Sequence, residues 1–223
     1  MTDLDDPIRT VHGLVVPRSR FLNDRRAERI AAGRYEGQEI AGALALVREG
    51  DRVLELGAGI GVVGATVALA RGPSAVLSFE ANPALIPSIE ALHAANGLTN
   101  VELRHAVLDA SPDRPATRPF AVHASYLGSS LGGAGRRVDV PTAGWDDVVG
   151  ALRPDVLICD IEGGEAELLG RVDLSGIRAA VVEFHPGAYG VAGMRACKRA
   201  LREAGLEPVK DLSTRTVWAA ERG

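Results

Sequence analysis

Arg52-Val-Leu-Glu-Leu-Gly-Ala-Gly-Ile-Gly61 is an apolar run closed by three alternating glycines, and the helical pattern Val62-Val-Gly-Ala-Thr-Val-Ala-Leu-Ala70 follows it directly. Residues 52–56 have the composition of a buried strand, so the segment reads as a strand (Arg52 to Leu56), a tight turn and a helix (Val62 to Arg71). Such a unit aims backbone N–H groups and a helix N-terminus at a ligand. The dinucleotide fingerprint Gly-x-Gly-x-x-Gly needs a small third residue for close helix–strand packing, and counting from Gly57 places Val62 there. The spacing is instead Glu55-x-Gly57-x-Gly59-x-Gly61, with an acid two residues before the first glycine.

Working outward, short β-branched runs alternate with longer helical patterns, the signature of βαβ units. Further candidate strands are Ala75 to Glu80, Val101 to His105, Phe120 to Ala124, Val156 to Asp160, Ala179 to Phe184, Glu207 to Asp211 and Arg215 to Ala220. Candidate helices are Glu36 to Arg48, Pro83 to Asn96 with Asn82 as cap, Trp145 to Leu152, Glu165 to Arg171 and Gly193 to Ala204. Residues 109–119 and 126–137 read as loops. The expectation is α/β: a single Rossmann-like domain over 36–223, a mainly parallel seven-stranded sheet with helices on both faces, preceded by a short N-terminal extension, 1–35.

Composition sets bounds. A net charge of −4 lacks the basic excess of a nucleic-acid binder, so no nucleic-acid partner is expected. Cys159 and Cys197 have no metal-ligand spacing and read as buried thiols. The acidic start Met-Thr-Asp-Leu-Asp-Asp is no secretory signal, and no apolar run reaches the roughly 18 residues of a membrane span. A cytoplasmic location without membrane contact is expected.

The Glu55 to Gly61 spacing resembles the S-adenosylmethionine (SAM) loop of class I methyltransferases. SAM carries a sulfonium and an amino-acid tail in place of a pyrophosphate, so Glu55 is expected near the tail ammonium, with the backbone of Gly57, Ala58, Gly59 and Gly61 close to the ligand. Glu80, ending an apolar strand, suits the ribose hydroxyls, with Ala81 and Asn82 beside it. Ala106, Val107 or His105, after the third strand, either meet the adenine or only pack.

Later segments resemble the FkbM family of methyltransferases: Phe79-Glu-Ala-Asn-Pro83, Asn96, Gly128-Ser-Ser-Leu131, Arg137-Val-Asp-Val-Pro-Thr142, Asp155-Val-Leu-Ile-Cys-Asp-Ile-Glu-Gly-Gly-Glu165, and Val181-Val-Glu-Phe-His-Pro186. The matches run from about residue 36 to 186. They depart from the family at Glu-Leu-Gly-Ala-Gly59, where Asp-x-Gly-Ala-Asn is frequent, and at Trp145, where an aliphatic residue is usual. The resemblance implies methyl transfer from SAM to a hydroxyl of a small molecule, sugar or glycan.

Asp160 and Glu162, at a strand end, and Glu183 and His185, at its neighbour, are the candidate catalytic residues. Asp160 either holds the methionine ammonium or faces the acceptor, and His185 either takes the acceptor's proton or positions it. A cluster of Asp160, Glu162 and His185 suits Mg²⁺, but no metal is favoured. Glu165 and Glu167 either join the acids beside the transferred methyl or only favour the helix N-terminus. Tyr126, Ser129 and Ser130 either cover the site or lie on a surface loop. The basic run Arg18 to Arg34 either borders an acidic or phosphorylated acceptor or is a solvated face. Val11, Leu14, Val15 and Val16 form either a homodimer edge or packing on the same chain. The competing functions are SAM-dependent methylation of a protein or nucleic acid, a non-catalytic SAM-binding module, and an NAD-dependent oxidoreductase, the last weakened by Val62.

Overall fold

A computed structural model describes residues 6–122, 130–131 and 135–223. A hairpin of β1 (Ile8–Arg9) and β2 (Val15–Val16) and helix α1 (Asp24–Ala31) precede α2 (Gly37–Leu46). Then come β3 (Arg52–Leu56), α3 (Val62–Arg71), β4 (Ala75–Glu80), α4 (Ile86–Ala95) and β5 (Val101–His105). Strands β6 (Val107–Asp109), β7 (Thr117–Val122), β8 (Ser130–Leu131) and β9 (Arg136–Gly144) follow. The chain continues through α5 (Trp145–Leu152), β10 (Val156–Cys159), α6 (Glu165–Leu169), β11 (Ala179–Glu183), α7 (Pro186–Glu203), β12 (Leu206–Pro208) and β13 (Val217–Arg222).

The main sheet has seven strands in the order β12-β13-β11-β10-β3-β4-β5, with β13 antiparallel to both of its neighbours. It is a Rossmann-like class I methyltransferase fold. Strand order reverses between β3 and β10, whose registers pair Leu56 with Cys159, so the glycine turn and the Asp160 turn leave the same sheet edge side by side. Alternate residues feed two cores: Val53, Val76, Val156 and Val181 face one side, Leu54, Leu77, Leu157 and Val182 the other. Strands covered on both faces need apolar residues at every position, which explains the unbroken apolar runs.

The boundaries of β3, β4, β5, α3 and α5 coincide with the sequence reading. Helix α4 differs: it starts at Ile86 behind Leu85, because Asn82 Oδ1 accepts from Ala84 N–H and closes a local turn instead of capping a helix. The strand expected at Phe120 to Ala124 is met up to Val122 by β7, which begins at Thr117 and belongs to a separate sheet, β6-β9-β7-β8, while residues 123 and 124 lie outside the described ones. The residues read as loops at 109–119 and 126–137 therefore contain the end of β6, the first residues of β7 and β9, and all of β8. The strand expected over Glu207 to Asp211 stops at Pro208 and gives way to a 3₁₀ turn, Lys210–Leu212. The last helix begins earlier than expected, at Pro186, and breaks at Gly190 (φ 72°, ψ 171°).

In the N-terminal segment, Leu14 and Val16 are buried against the chain's own core, and Asn96 clamps the backbone of Val15 from both sides. Val11 remains exposed. Trp145 is buried, so the departure at that position belongs to the core and not to ligand contact. Both cysteines are free and buried. Among the described residues no helix is long and apolar enough to cross a membrane.

Candidate active site

The glycine turn is held by backbone geometry. The N–H groups of Gly57 and Ala58 both donate to the Phe79 carbonyl, and Gly57 and Gly61 sit at φ +83° and +84°, in the left-handed region that disfavours a side chain. A Cβ at Gly57 would lie 1.7 Å from the Asp160 carbonyl oxygen, so this glycine lets two strand ends touch. A Cβ at Gly59 would lie 3.9 Å from Glu36 Oε1, and the Gly59 N–H donates to Glu80 Oε2 at 2.8 Å.

Glu80 closes one side of a cavity lined by Gly57, Gly59, Ala81, Asn82, Ala106 and Val107, and by Asp160 opposite. It also accepts from Asn82 N–H at 2.6 Å, while burial lifts its carboxyl to about 7 against those stabilising bonds. The Asn82 side-chain nitrogen is buried with no hydrogen-bond partner among the described residues. Three of the expected ligand residues do not line this cavity. Ala58 is buried within the turn, and Gly61 caps α3 and packs on Ile89. Glu55 lies beneath α3, accepting from Gly64 N–H at 2.7 Å and from the Ser78 hydroxyl. An acid so satisfied from within is a strut for the turn, which corrects its expected place at the tail ammonium. His105 likewise faces the Ala81 carbonyl, 3.1 Å away.

The far wall comes from the small sheet. Arg118 on β7 grips Glu167 with both Nη atoms at 3.1 Å and reaches Asp109 at 3.2 Å, and all three residues line the cavity. Glu167 is thus committed to a bidentate pair. Glu165 is fully buried and accepts from the N–H groups of Ile161 and Gly163, so it fixes the turn before α6. Neither acid is the simple helix-end charge its position implies. In that turn Glu162 adopts φ 51°, a strained conformation for a residue with a side chain.

A second cleft lies beside the first, lined by Asp160, Glu162, Glu183 and His185 on its floor and by residues of α1 and α2 on its wall. Asp160, Glu162 and Glu36 line both spaces and mark the boundary between them. His185 Nδ1 lies 3.1 Å from Glu165, and its Nε2 lies 3.4 Å from Glu162 and 3.6 Å from Asp160. Burial opposes a charge on His185, but the Glu165 hydrogen bond and the three carboxylates outweigh it and raise the group to about 9. Burial lifts Asp160 to about 7 although His185 pulls the other way, and its buried Oδ1 has no hydrogen-bond partner among the described residues. Glu183, raised to about 8 by burial and by Asp160, shares a hydrogen bond with Glu39 of α2. One donor atom each from Asp160, Glu183 and His185 falls within a 4.8 Å span, a spacing compatible with a cation.

Glu36 went unnoticed in the sequence as a site residue. It has φ 47° at the head of α2, and burial together with the facing Asp160 pushes its carboxyl well above the usual range. Nothing in the isolated segment Tyr35-Glu36-Gly37 announces this, because Asp160 is its partner only in three dimensions. Tyr126 and Ser129 lie outside the described residues, as does the side chain of Ser130.

These features fit SAM. Two acids, Glu36 and Asp160, crowd toward neutrality across a cavity that a cationic ligand would relieve, and Glu80 and Asn82 offer polar groups to a nucleoside. Comparison with known proteins agrees. The structure is similar to a precorrin-6y C5,15-methyltransferase from Geobacter metallireducens (TM-score 0.52, 14% identity, 86% of this chain and 90% of that one). It is also similar to a ribosomal protein L11 methylase from Lactobacillus delbrueckii subsp. bulgaricus (0.51, 14%, 84% and 78%) and to M. jannaschii TYW2 in complex with AdoMet (0.50, 14%, 100% and 89%). At this identity the likeness shows the fold alone. No curated protein matches the sequence. The methyltransferase FkbM domain matches residues 55–205, more than half of the chain, and the protein therefore belongs to the FkbM family of SAM-dependent methyltransferases.

Proposed function

We propose that the chain methylates a hydroxyl of a small molecule, sugar or glycan. The observation that carries this reading is the boundary at Glu36, Asp160 and Glu162, where the donor cavity adjoins a second cleft whose floor is polar and ionisable. SAM supplies an electrophilic methyl group on a sulfonium. The protein's part is to bring the acceptor oxygen into line and to take its proton. Asp160 suits the second task, since a group near 7 serves as a base at neutral pH and its buried Oδ1 lacks a hydrogen bond. His185, held at about 9, is charged at neutral pH and acts by fixing the carboxylates, not as the base. Positioning supplies much of the rate for such an intrinsically favourable transfer.

Titration calorimetry with SAM and with NAD tests the donor. Micromolar NAD binding without SAM binding would overturn the reading. A panel of hydroxylated sugars and metabolites, assayed with and without EDTA, tests the acceptor. Turnover insensitive to EDTA is expected; loss of turnover, restored by Mg²⁺, would assign Asp160, Glu183 and His185 to a cation.

A further inference from the structure

The outer wall of the second cleft carries charge that neither the fold nor the proposed chemistry uses. Helix α1 buries Ala27 and Ile30, whereas Arg25 and Arg29, one turn apart, are exposed and line the cleft with Arg26 and, beyond the helix end, Arg34. Like charges at that spacing repel and weaken a helix. Ion pairing does not offset this, since Arg25, Arg29 and Arg34 make no salt bridge among the described residues. Asp24 and Glu28 share the helix but do not line the cleft. Arg26 and Arg29 donate to the carbonyls of Phe21 and Arg34, which orients them along the wall. Four arginines thus share the cleft with Asp160, Glu162, Glu183 and His185 on its floor and with Glu36 and Glu39 at α2.

We infer that the acceptor is a compact hydroxylated molecule bearing a phosphate group, with the phosphate on Arg25, Arg29 and Arg34 and the hydroxyl on the acidic floor. This rests on the acceptor cleft assigned above. Guanidinium groups match phosphate oxygens in geometry and keep their charge at every physiological pH. With the phosphate held on the arginines, the hydroxyl of a compact molecule is left to meet the floor beside Asp160. The chain's net charge of −4 and the concave placement of the arginines favour a small phosphate ester over a nucleic-acid backbone, which an extended basic face would track.

The test is calorimetry on SAM-saturated protein with inorganic phosphate, ribose, ribose 5-phosphate and a short single-stranded oligoribonucleotide. It compares the natural chain, the pair Arg25→Ala and Arg29→Ala, and a control pair, Arg195→Ala and Arg199→Ala, on α7 outside the cleft. Alanine suits an exposed helix, so the fold survives both pairs. Saturable phosphate binding is expected in the natural chain and the control, weakened about tenfold in the cleft pair, with SAM affinity equal in all three. Ribose 5-phosphate should bind and ribose should not. Absence of saturable phosphate binding, or equal binding in the cleft pair, overturns the inference while intact SAM binding leaves the donor reading standing. Oligoribonucleotide binding far tighter than phosphate, lost in the cleft pair, would replace the small ester by nucleic acid. Failure of SAM to bind would instead count against the donor reading.

Discussion

The proposed donor cavity and the proposed acceptor cleft adjoin but are built on different principles. The donor side is made largely of backbone: a glycine turn, two strand ends in register, and peptide N–H groups tied to Phe79 and Glu80. The acceptor side is made of side-chain charge: Asp160, Glu162, Glu183 and His185 against arginines of α1. Backbone geometry fixes position and tolerates almost no substitution at contact points, whereas a charge cluster shares its energy among several groups and titrates as a unit. Changes on the donor side should therefore act on binding and folding, and those on the acceptor side on rate and pH dependence.

The sharpest way to break this contrast is Gly57→Ala. The added Cβ would lie 1.7 Å from the Asp160 carbonyl at a φ of +83°, so the variant should lose more than about 3 kcal/mol of stability in denaturant unfolding and all measurable SAM binding. A variant as stable as the natural chain would show that the two strand ends separate easily. Next in size, Asp160→Asn should lower the rate of methyl transfer about a hundredfold with a smaller change in SAM affinity. In the natural chain kcat/KM should rise as pH increases through about 7, where Asp160 of the ligand-free protein gives up its proton, and the variant should lose that limb. Equal losses in rate and in SAM affinity would place Asp160 with the donor.

Glu80→Ala should weaken SAM binding by about 1–3 kcal/mol, read by calorimetry; unchanged affinity would remove Glu80 from the donor site. The smallest effect concerns His185. Its folded value of about 9 stands above the usual 6.5, so the charged ring contributes stability that is complete below pH 6.5 and fades as pH rises to about 9. Thermal melts of the ligand-free chain should fall across that window, and His185→Gln should flatten the fall. An equally steep fall in the variant would locate the titration elsewhere.

The two sides were also unequally visible in the sequence. Strand, turn and helix around Gly57 are contiguous, so local pattern was enough to place β3, α3 and β4 to the residue. Yet Glu55, equally contiguous, turned out to serve the turn from below. A one-dimensional motif gives the order of residues and leaves open which way a buried carboxylate points; Gly64 N–H and the Ser78 hydroxyl determined that. The small sheet escapes local pattern because β6 and β8 are only three and two residues long, and β6 and β9 pair across more than thirty residues. Glu36 and the arginines of α1 join Asp160, Glu183 and His185 across more than 120 residues of chain.

The sequence by itself determined the fold class, the family and the donor, because alternating periodicity and glycine spacing are local consequences of a parallel sheet that turns sharply toward its ligand. Only the tertiary structure decided which acids meet, which of them are held near neutrality by burial, and that a basic helix stands opposite them. Coulomb interactions and desolvation depend on distance through space, and sequence separation carries almost no information about that distance.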